Sequence, residues 1–525
     1  DDGGARRRVN HSPNVLAWLL AACLWLLSGC ASIDFDYPRT ESKAFADTAG
    51  TSLGARVAQL SAPKASDQSG FYPLQDGIDA LTARLLLAER AERSIDTQYY
   101  LIKTDTTSLA FIHALLRAAD RGVRVRLLLD DVFTKGYDAG MAALDSHPNF
   151  EIRIFNPFLR GVGGRARSGL TDLARVNRRM HTKTFTVDNQ VTILGGRNIA
   201  DEYFGARKDA KFGDLDVLGI GPIANETSQM FDTFWNHETA LPVPAFAQMP
   251  EDPAAELLAL RQRLEEAAQA IRETKYAEAV RATALAFMDE QRDVLEWAPY
   301  QLVYDSPDKG IRSKDGPSVD ITKPLVEALQ SAQKELIVVS PYFVPRKSGV
   351  QLFSELKARG VDVTIVTNSL AANNQVTVHG GYAPSRKPLL QSGVRIYEVR
   401  PDADVAGAEI VAASGAKATL HTKAFLVDRE HAFVGSFNFD PRSANLNTES
   451  GVIIESKELG NLFAQTFEAG IEKQAYELFL NDDGKLRWRA FENGQPVVYT
   501  NEPESTWWQR FVAGTVRILP VKGQL

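Results

Sequence analysis

A chain of 525 residues exceeds what one hydrophobic core usually serves, so two lobes or one large pseudo-symmetric body are expected, and 44% hydrophobic content supports ordinary globular packing. A net charge of −7 argues against nucleic acid as a partner, because nothing global offsets phosphate repulsion.

The first residues read as an export signal. Arg6, Arg7 and Arg8 precede an apolar run from Val15 to Leu27, too short to span a bilayer comfortably, which closes on Leu27-Ser28-Gly29-Cys30. That ending is similar to a bacterial lipobox and implies cleavage before Cys30 and acylation of its thiol and new amino group. Several acyl chains, at roughly 0.8 kcal/mol per buried methylene, would hold the protein on a membrane essentially permanently. The expected location is therefore the bacterial cell envelope, lipid-anchored on the periplasmic side. Ala31 after the cysteine leans towards the outer membrane. The cysteines are Cys23, in the apolar run, and Cys30, so the mature chain offers no disulfide. Residues 31–70, rich in Ser, Ala, Thr and Asp without clear periodicity, suit a flexible tether.

A first lobe is expected over 71–250. Ile95 to Leu101 alternates as a strand, Thr107 to Arg121 has helical spacing, and Val123 to Leu129 is a strong strand. Arg121-Gly122-Val123 fits a helix stopped by a C′ glycine. Between Glu151 and Lys183 a basic stretch carries Arg153, Arg160, Arg165, Arg167, Arg175, Arg178 and Arg179 against Glu151 and Asp172, suited to anionic headgroups or to a solvated loop. Residues 251–295, rich in Ala, Glu, Arg and Leu, form a helical linker without expected chemistry.

A second lobe over 296–525 repeats the pattern: strand Glu335 to Ser340, helix Ser348 to Arg359, Arg359-Gly360-Val361, strand Asp362 to Thr367. Gly360 follows Gly122 by 238 positions, which points to duplication. His379 either lines a cleft or is structural. At the end, Trp507, Trp508, Arg510 and Phe511 give an amphipathic pattern that fits either a helix docked on the core or one lying in lipid headgroups.

The chemistry-bearing residues repeat in the same register. His181-Thr182-Lys183 is followed by Asp188, and His421-Thr422-Lys423 by Asp428, with His421 following His181 by 240 positions. Residues i and i+2 of a strand share a face, so each His and Lys point the same way. Gly195-Gly196-Arg197-Asn198 and Gly435-Ser436-Phe437-Asn438 trail the two copies. One such triplet is a weak signal; two in one register leave little room for coincidence.

The set suits phosphodiester exchange. A five-coordinate phosphorus carries negative charge on its non-bridging oxygens, and fixed cations in a dry site stabilise it. Lys183 and Lys423 supply the charge; Asn198, Asn438 and Ser436 add neutral contacts to substrate. One imidazole attacks phosphorus while the other protonates the departing alcohol and then deprotonates the acceptor, with no metal or cofactor required. A nucleophilic histidine needs an acceptor on its far nitrogen. Glu449 is expected to serve the second half and Asp214 the first, while Asp188 and Asp428 complete the motifs by holding loop and Lys in place.

The doubled HxKxxxxD with GGRN and GSFN resembles the phospholipase D superfamily from about Phe71 to the C-terminus. Asp96-Thr97-Gln98-Tyr99-Tyr100, Asn177-Arg178-Arg179-Met180-His181, Thr367 to Asn373 (TNSLAAN) and Gly435 to Ser443 (GSFNFDPRS) look like its cardiolipin synthase C type. The resemblance implies an α/β fold of two pseudo-symmetric lobes, each a mixed β-sheet flanked by helices. It also implies a phosphatidyl group passed onto phosphatidylglycerol in a membrane, with phosphatidylethanolamine as donor, His181 as nucleophile and His421 as acid and base. Hydrolysis to phosphatidic acid is the alternative within the enzymes. A nuclease fits the charge poorly, and a non-catalytic surface lipoprotein would not be expected to keep both motifs intact.

Overall fold

The computed structural model describes residues 33–516 apart from 162, 208, 273, 288–293, 311–318, 404–416 and 493. The expected signal peptide and Cys30 lie outside the described residues.

Two mixed sheets repeat one strand order. In the first lobe, Ser94–Tyr99 pairs in parallel with Arg124–Asp130, which pairs in parallel with Phe150–Phe155. On its other edge Ser94–Tyr99 runs antiparallel to Thr184–Val187, followed by Val191–Gly195, Asp216–Ile220 and Gln68–Leu74. In the second lobe the parallel set is Glu335–Val339, Asp362–Asn368 and Arg395–Val399, and the antiparallel set is Ala424–Val427, His431–Gly435 and Ser450–Glu455. One long strand, Glu296–Tyr304, joins them: its first part pairs with Gln68–Phe71 and its second with Ser450–Ile454.

The repeated βαβ units follow from local chemistry. Asp105 caps the helix Thr106–Asp120 by accepting from the Ser108 amide. Gly122 and Gly360 both end their helices at left-handed φ, +94° and +90°, where a side chain would be strained. Parallel strands buried on both faces carry Val, Ile and Leu runs, as in Val125, Leu127 and Leu128 and in Val363, Ile365 and Val366.

Two segment assignments change. Residues 33–70, read as a tether, are packed on the first lobe. Asp34 donates its amide to the Ala245 carbonyl, Ala44 to Asp232, and Trp235 Nε1 donates to the Ser42 hydroxyl. These bonds, together with Ile33, Phe35, Tyr37 and Leu53 packed on the first-lobe core, dock the segment through irregularly spaced contacts that leave no hydrophobic period to read. The linker helices Pro253–Arg272 and Lys275–Phe287 also belong to the first lobe: Arg261 pairs with Asp120 through two 2.6 Å bonds, and Tyr276 is buried with its hydroxyl on the Phe204 carbonyl. Among the described residues no helix is long and apolar enough to cross a membrane.

Candidate active site

The two motif segments meet because each lobe lays its His-x-Lys chain against the other. The His181 amide donates to the Thr448 carbonyl at 2.8 Å, and the Thr448 amide donates to Arg179. In the mirrored contact the His421 amide donates to the Gly213 carbonyl at 2.7 Å, while Lys417–Leu420 pairs in parallel with Ala210–Gly213.

These backbone contacts place a carboxylate of one lobe behind the imidazole of the other. His181 Nδ1 lies 2.8 Å from Glu449 Oε2, and His421 Nδ1 lies 2.6 Å from Asp214 Oδ2, with both carboxylates buried. The pairing expected within each half is thus crossed. Asp214 serves the second-lobe histidine and Glu449 the first, because the strands docking against each motif come from the opposite lobe. Holding Nδ1 leaves Nε2 of each ring for chemistry.

Both histidines line one cleft of about 450 Å³, together with Asn198, Asn438, Tyr100, Tyr203, Tyr342 and Arg442. Asn198 and Asn438 each bury a side-chain oxygen with no hydrogen-bond partner, an acceptor's spare capacity, while the Asn198 NH2 donates to the Tyr203 hydroxyl at 3.0 Å. Lys183 and Lys423 are buried beside them: each donates to the carbonyl of its own histidine, and Lys423 Nζ lies 2.7 Å from His421 Nδ1.

Other expected site residues sit elsewhere. The Ser436 hydroxyl donates to Glu449 Oε2 at 2.5 Å and is fully buried, so it steadies the carboxylate rather than facing the cleft, and Ser443 donates to Oε1 at 2.7 Å. Position 196 is the first-lobe counterpart of 436. A Cβ at Gly196 would lie 2.2 Å from Asp214 Oδ1, so the shorter carboxylate comes with a bare glycine and the longer one with a serine. Asp188 and Asp428 lie one strand-length from the histidines, at φ +50° and +52°. Asp188 accepts the amides of Glu92, Arg93 and Ser94, and Asp428 those of Gln333, Lys334 and Glu335. They hold the start of a neighbouring strand and do not contact the lysines. His379 is buried in the helix Val376–Gln391 against Glu502, away from the cleft.

The basic stretch is also internally committed. Arg153 pairs with Glu151 and the Trp235 carbonyl, Arg160 with Asp131 and Asp138, Arg175 with Asp172, and Arg179 with Asp130.

A family profile described as "Cardiolipin synthase, PLD-like domain" matches residues 86–235 and 325–471. The chain is 39% identical to "Cardiolipin synthase C" of Escherichia coli (strain K12) over 87% of its length and 96% of that protein. This chain belongs to the phospholipase D-like cardiolipin synthase family. It is also 30% identical to an uncharacterized protein of Helicobacter pylori over 96% of this chain and 99% of the relative. A phosphatidylserine synthase from Haemophilus influenzae superposes at a TM-score of 0.56, covering 90% of this chain and 99% of its own; at 13% identity this likeness concerns the fold alone.

In this phospholipase D-like enzyme the electrostatics favour neutral imidazoles. Burial pushes His181 down to about 4 and His421 to about 3, with the lysine charges adding to the effect against their carboxylate partners. Burial likewise pulls Lys423 to about 8 and Lys183 well below the ordinary lysine range. Burial alone would raise Glu449, but His181, Lys183 and Ser436 outweigh it and hold it at about 2. A neutral ring donating its Nδ1 proton to a fixed anion is the state a nucleophile or proton acceptor requires.

Sequence reasoning missed the aromatic walls. Tyr100 meets His181 edge-on at 4.9 Å, while Tyr203 meets His421 edge-on at 5.1 Å and Phe212 stacks on it at 5.5 Å. Tyr100 stood in the quoted DTQYY string, but Tyr203 and Phe212 carried no signal beyond proximity to Asp214.

Proposed function

We propose that the protein makes cardiolipin by phosphatidyl transfer. The observation that carries this reading is that His181 and His421 open onto a single cleft, each oriented by a carboxylate from the opposite lobe. In the first step His181 Nε2 attacks phosphorus of the donor phospholipid; a P–N bond forms, the P–O bond to the headgroup breaks, and the departing alcohol takes a proton from Nε2 of His421, whose imidazolium form the bound phosphodiester anion favours over the neutral ring of the empty cleft. In the second step a phosphatidylglycerol hydroxyl attacks phosphorus, its proton passes to His421, and the P–N bond breaks.

Lys183 and Lys423 stabilise charge on the non-bridging oxygens, joined by Asn198 and Asn438 where the NH2 rather than the oxygen of each amide is turned to the phosphate. Phosphatidylethanolamine is the proposed donor, in keeping with the likeness to cardiolipin synthase C. Anchoring through Cys30 on the periplasmic side of the envelope would keep the cleft beside its substrates.

The test is incubation of the purified protein with labelled phosphatidylglycerol, with and without phosphatidylethanolamine. Labelled cardiolipin that increases with phosphatidylethanolamine is expected. Free phosphatidate with no cardiolipin would replace transfer by hydrolysis.

A further inference from the structure

The C-terminal helix Trp507–Val516 is fastened on one face and bare on the other. Its inner face buries Ala513 and Val516 against the helix Val376–Gln391, so closely that a Cβ at Gly380 would lie 2.7 Å from the Ala513 carbonyl oxygen. The segment leading into it is tied down by Glu502, which accepts from Arg386 at 2.7 Å, and by Glu504, which accepts from the Tyr476 hydroxyl at 2.6 Å. The outer face carries Trp507 at 68% exposure, Trp508 at 61% and Phe511 at 51%. Phe511 stacks on both indoles, at 5.4 and 5.5 Å, which gives one continuous aromatic plate beside the exposed Arg510.

This plate is joined to the cleft. The helix it rides on contributes Thr377 and Val378 to the cleft wall, with Gln375 just before it. Across the cleft the first lobe offers a second apolar edge. Arg165 of the helix Gly164–Thr171 donates to the carbonyls of Asp131 and Val132, beside Phe133, which lines the cleft and is 48% exposed. Leu170 and Leu173, on and just after that helix, are 77% and 59% exposed. Exposed large apolar side chains are thus carried by elements tied to cleft-lining residues of both lobes, Phe133 in the first and Thr377 and Val378 in the second.

We propose that Trp507, Trp508 and Phe511, with Leu170 and Leu173 opposite, seat in the headgroup–acyl boundary of a lipid bilayer and hold the cleft mouth against it. This rests on the lipid-transfer reading above. A phospholipid leaves its bilayer only at a large hydrophobic cost, so a cleft that acts on its phosphate must come to the surface. Tryptophan and phenylalanine beside an arginine match that boundary, where apolar ring, polar edge and anionic headgroup each find a partner. An anchor at the N-terminus would set which membrane is used; the two flanks would set which face of the protein meets it.

The test uses the full chain on vesicles of phosphatidylglycerol and phosphatidylethanolamine, compared with short-chain versions of both lipids dispersed as monomers. The triple substitution Trp507→Ser, Trp508→Ser, Phe511→Ser is expected to lower turnover of vesicle lipid at least tenfold and to leave monomer turnover within twofold. The pair Trp507→Phe, Trp508→Phe should restore vesicle turnover. Amide exchange across 507–516 should slow when vesicles are added to the wild type and not in the triple variant.

Equal losses on vesicles and monomers would overturn the proposal in favour of a structural role. So would unchanged vesicle turnover, or slowed exchange that follows protein concentration without vesicles, the mark of a second copy on the patch. A wild type inert on both lipid forms would instead overturn the lipid-transfer reading, and this proposal with it.

Discussion

Glu449 of the second lobe holds His181 of the first through a 2.8 Å contact at Nδ1, and Asp214 returns the arrangement to His421 at 2.6 Å. Each lobe therefore completes the catalytic group of the other, and neither half holds a finished site alone. The duplication supplies two half-sites, and the strands crossing between lobes join them over one cleft.

The crossed pairing predicts the effect of neutral carboxylate isosteres. Glu449→Gln and Asp214→Asn should each lower kcat by roughly 10³ or more, since an amide leaves the imidazole free to take the wrong tautomer. Single-turnover kinetics should place the loss in chemistry rather than lipid binding.

The glycine at 196 predicts a matched exchange. Gly196→Ser alone should disable the site, because its Cβ would stand 2.2 Å from Asp214 Oδ1. The second lobe combines Ser436 with Glu449, and the three nearest atoms that a Cβ at 196 would meet all belong to the Asp214 carboxylate. Mutating Asp214→Ala in the Gly196→Ser background should therefore recover melting temperature without recovering turnover, as measured by thermal unfolding and lipid assay on the same preparation.

For the lysines, Lys183→Ala or Lys423→Ala should each cost on the order of 10² to 10³ in kcat, by analogy with loss of an oxyanion donor. Lys423 loses its proton near pH 8, so kcat/KM is expected to fall as pH rises through about 8. On the acid side, His181 and His421 fold with pKa values of about 4 and 3, below the ordinary 6.5. The unfolded chain then binds protons first, so stability held above about pH 6.5 should decline as pH falls towards 4. Chemical denaturation at pH 7, 6 and 5 reads that slope.

Asp188 should prove a stability residue. Removing its carboxylate strips three strand-start amides of their acceptor, at a cost on the order of 3 kcal/mol. Asp188→Ala is expected to melt earlier while the folded fraction keeps its turnover, measured at a temperature where it is still folded.

Much of this was legible in the chain. The spacing of Gly122 and Gly360, and of His181 and His421, gave away the duplication because glycine C′ positions and strand-borne His-x-Lys patterns are local features. The crossed orienters were not legible: Asp214 and Glu449 lie nearer in sequence to their own lobe's motif, and only the long-range pairing of 210–213 with 417–420 and the Met180–Thr448 bridge decide otherwise. Ser436 looked like a substrate contact because its run adjoins the motif, yet its hydroxyl is consumed by Glu449. The arginines of the basic stretch looked free because their acids lie elsewhere, Asp130 and Asp131 at the end of a strand and in the turn after it, and Asp138 at the start of the following helix. Charge counted along the chain does not reveal charge paired across it.

The most direct test is trapping of the covalent intermediate by a denaturant quench at mildly alkaline pH, where a P–N bond to histidine survives, using a phospholipid labelled in its phosphatidyl moiety with a leaving group that needs no proton, and the His421→Ala variant. The expected result is label on the peptide carrying residue 181, at a rate that Glu449→Gln lowers. Label on a peptide lacking residue 181, or cardiolipin formed by a His181→Ala protein at the wild-type rate, would contradict the account.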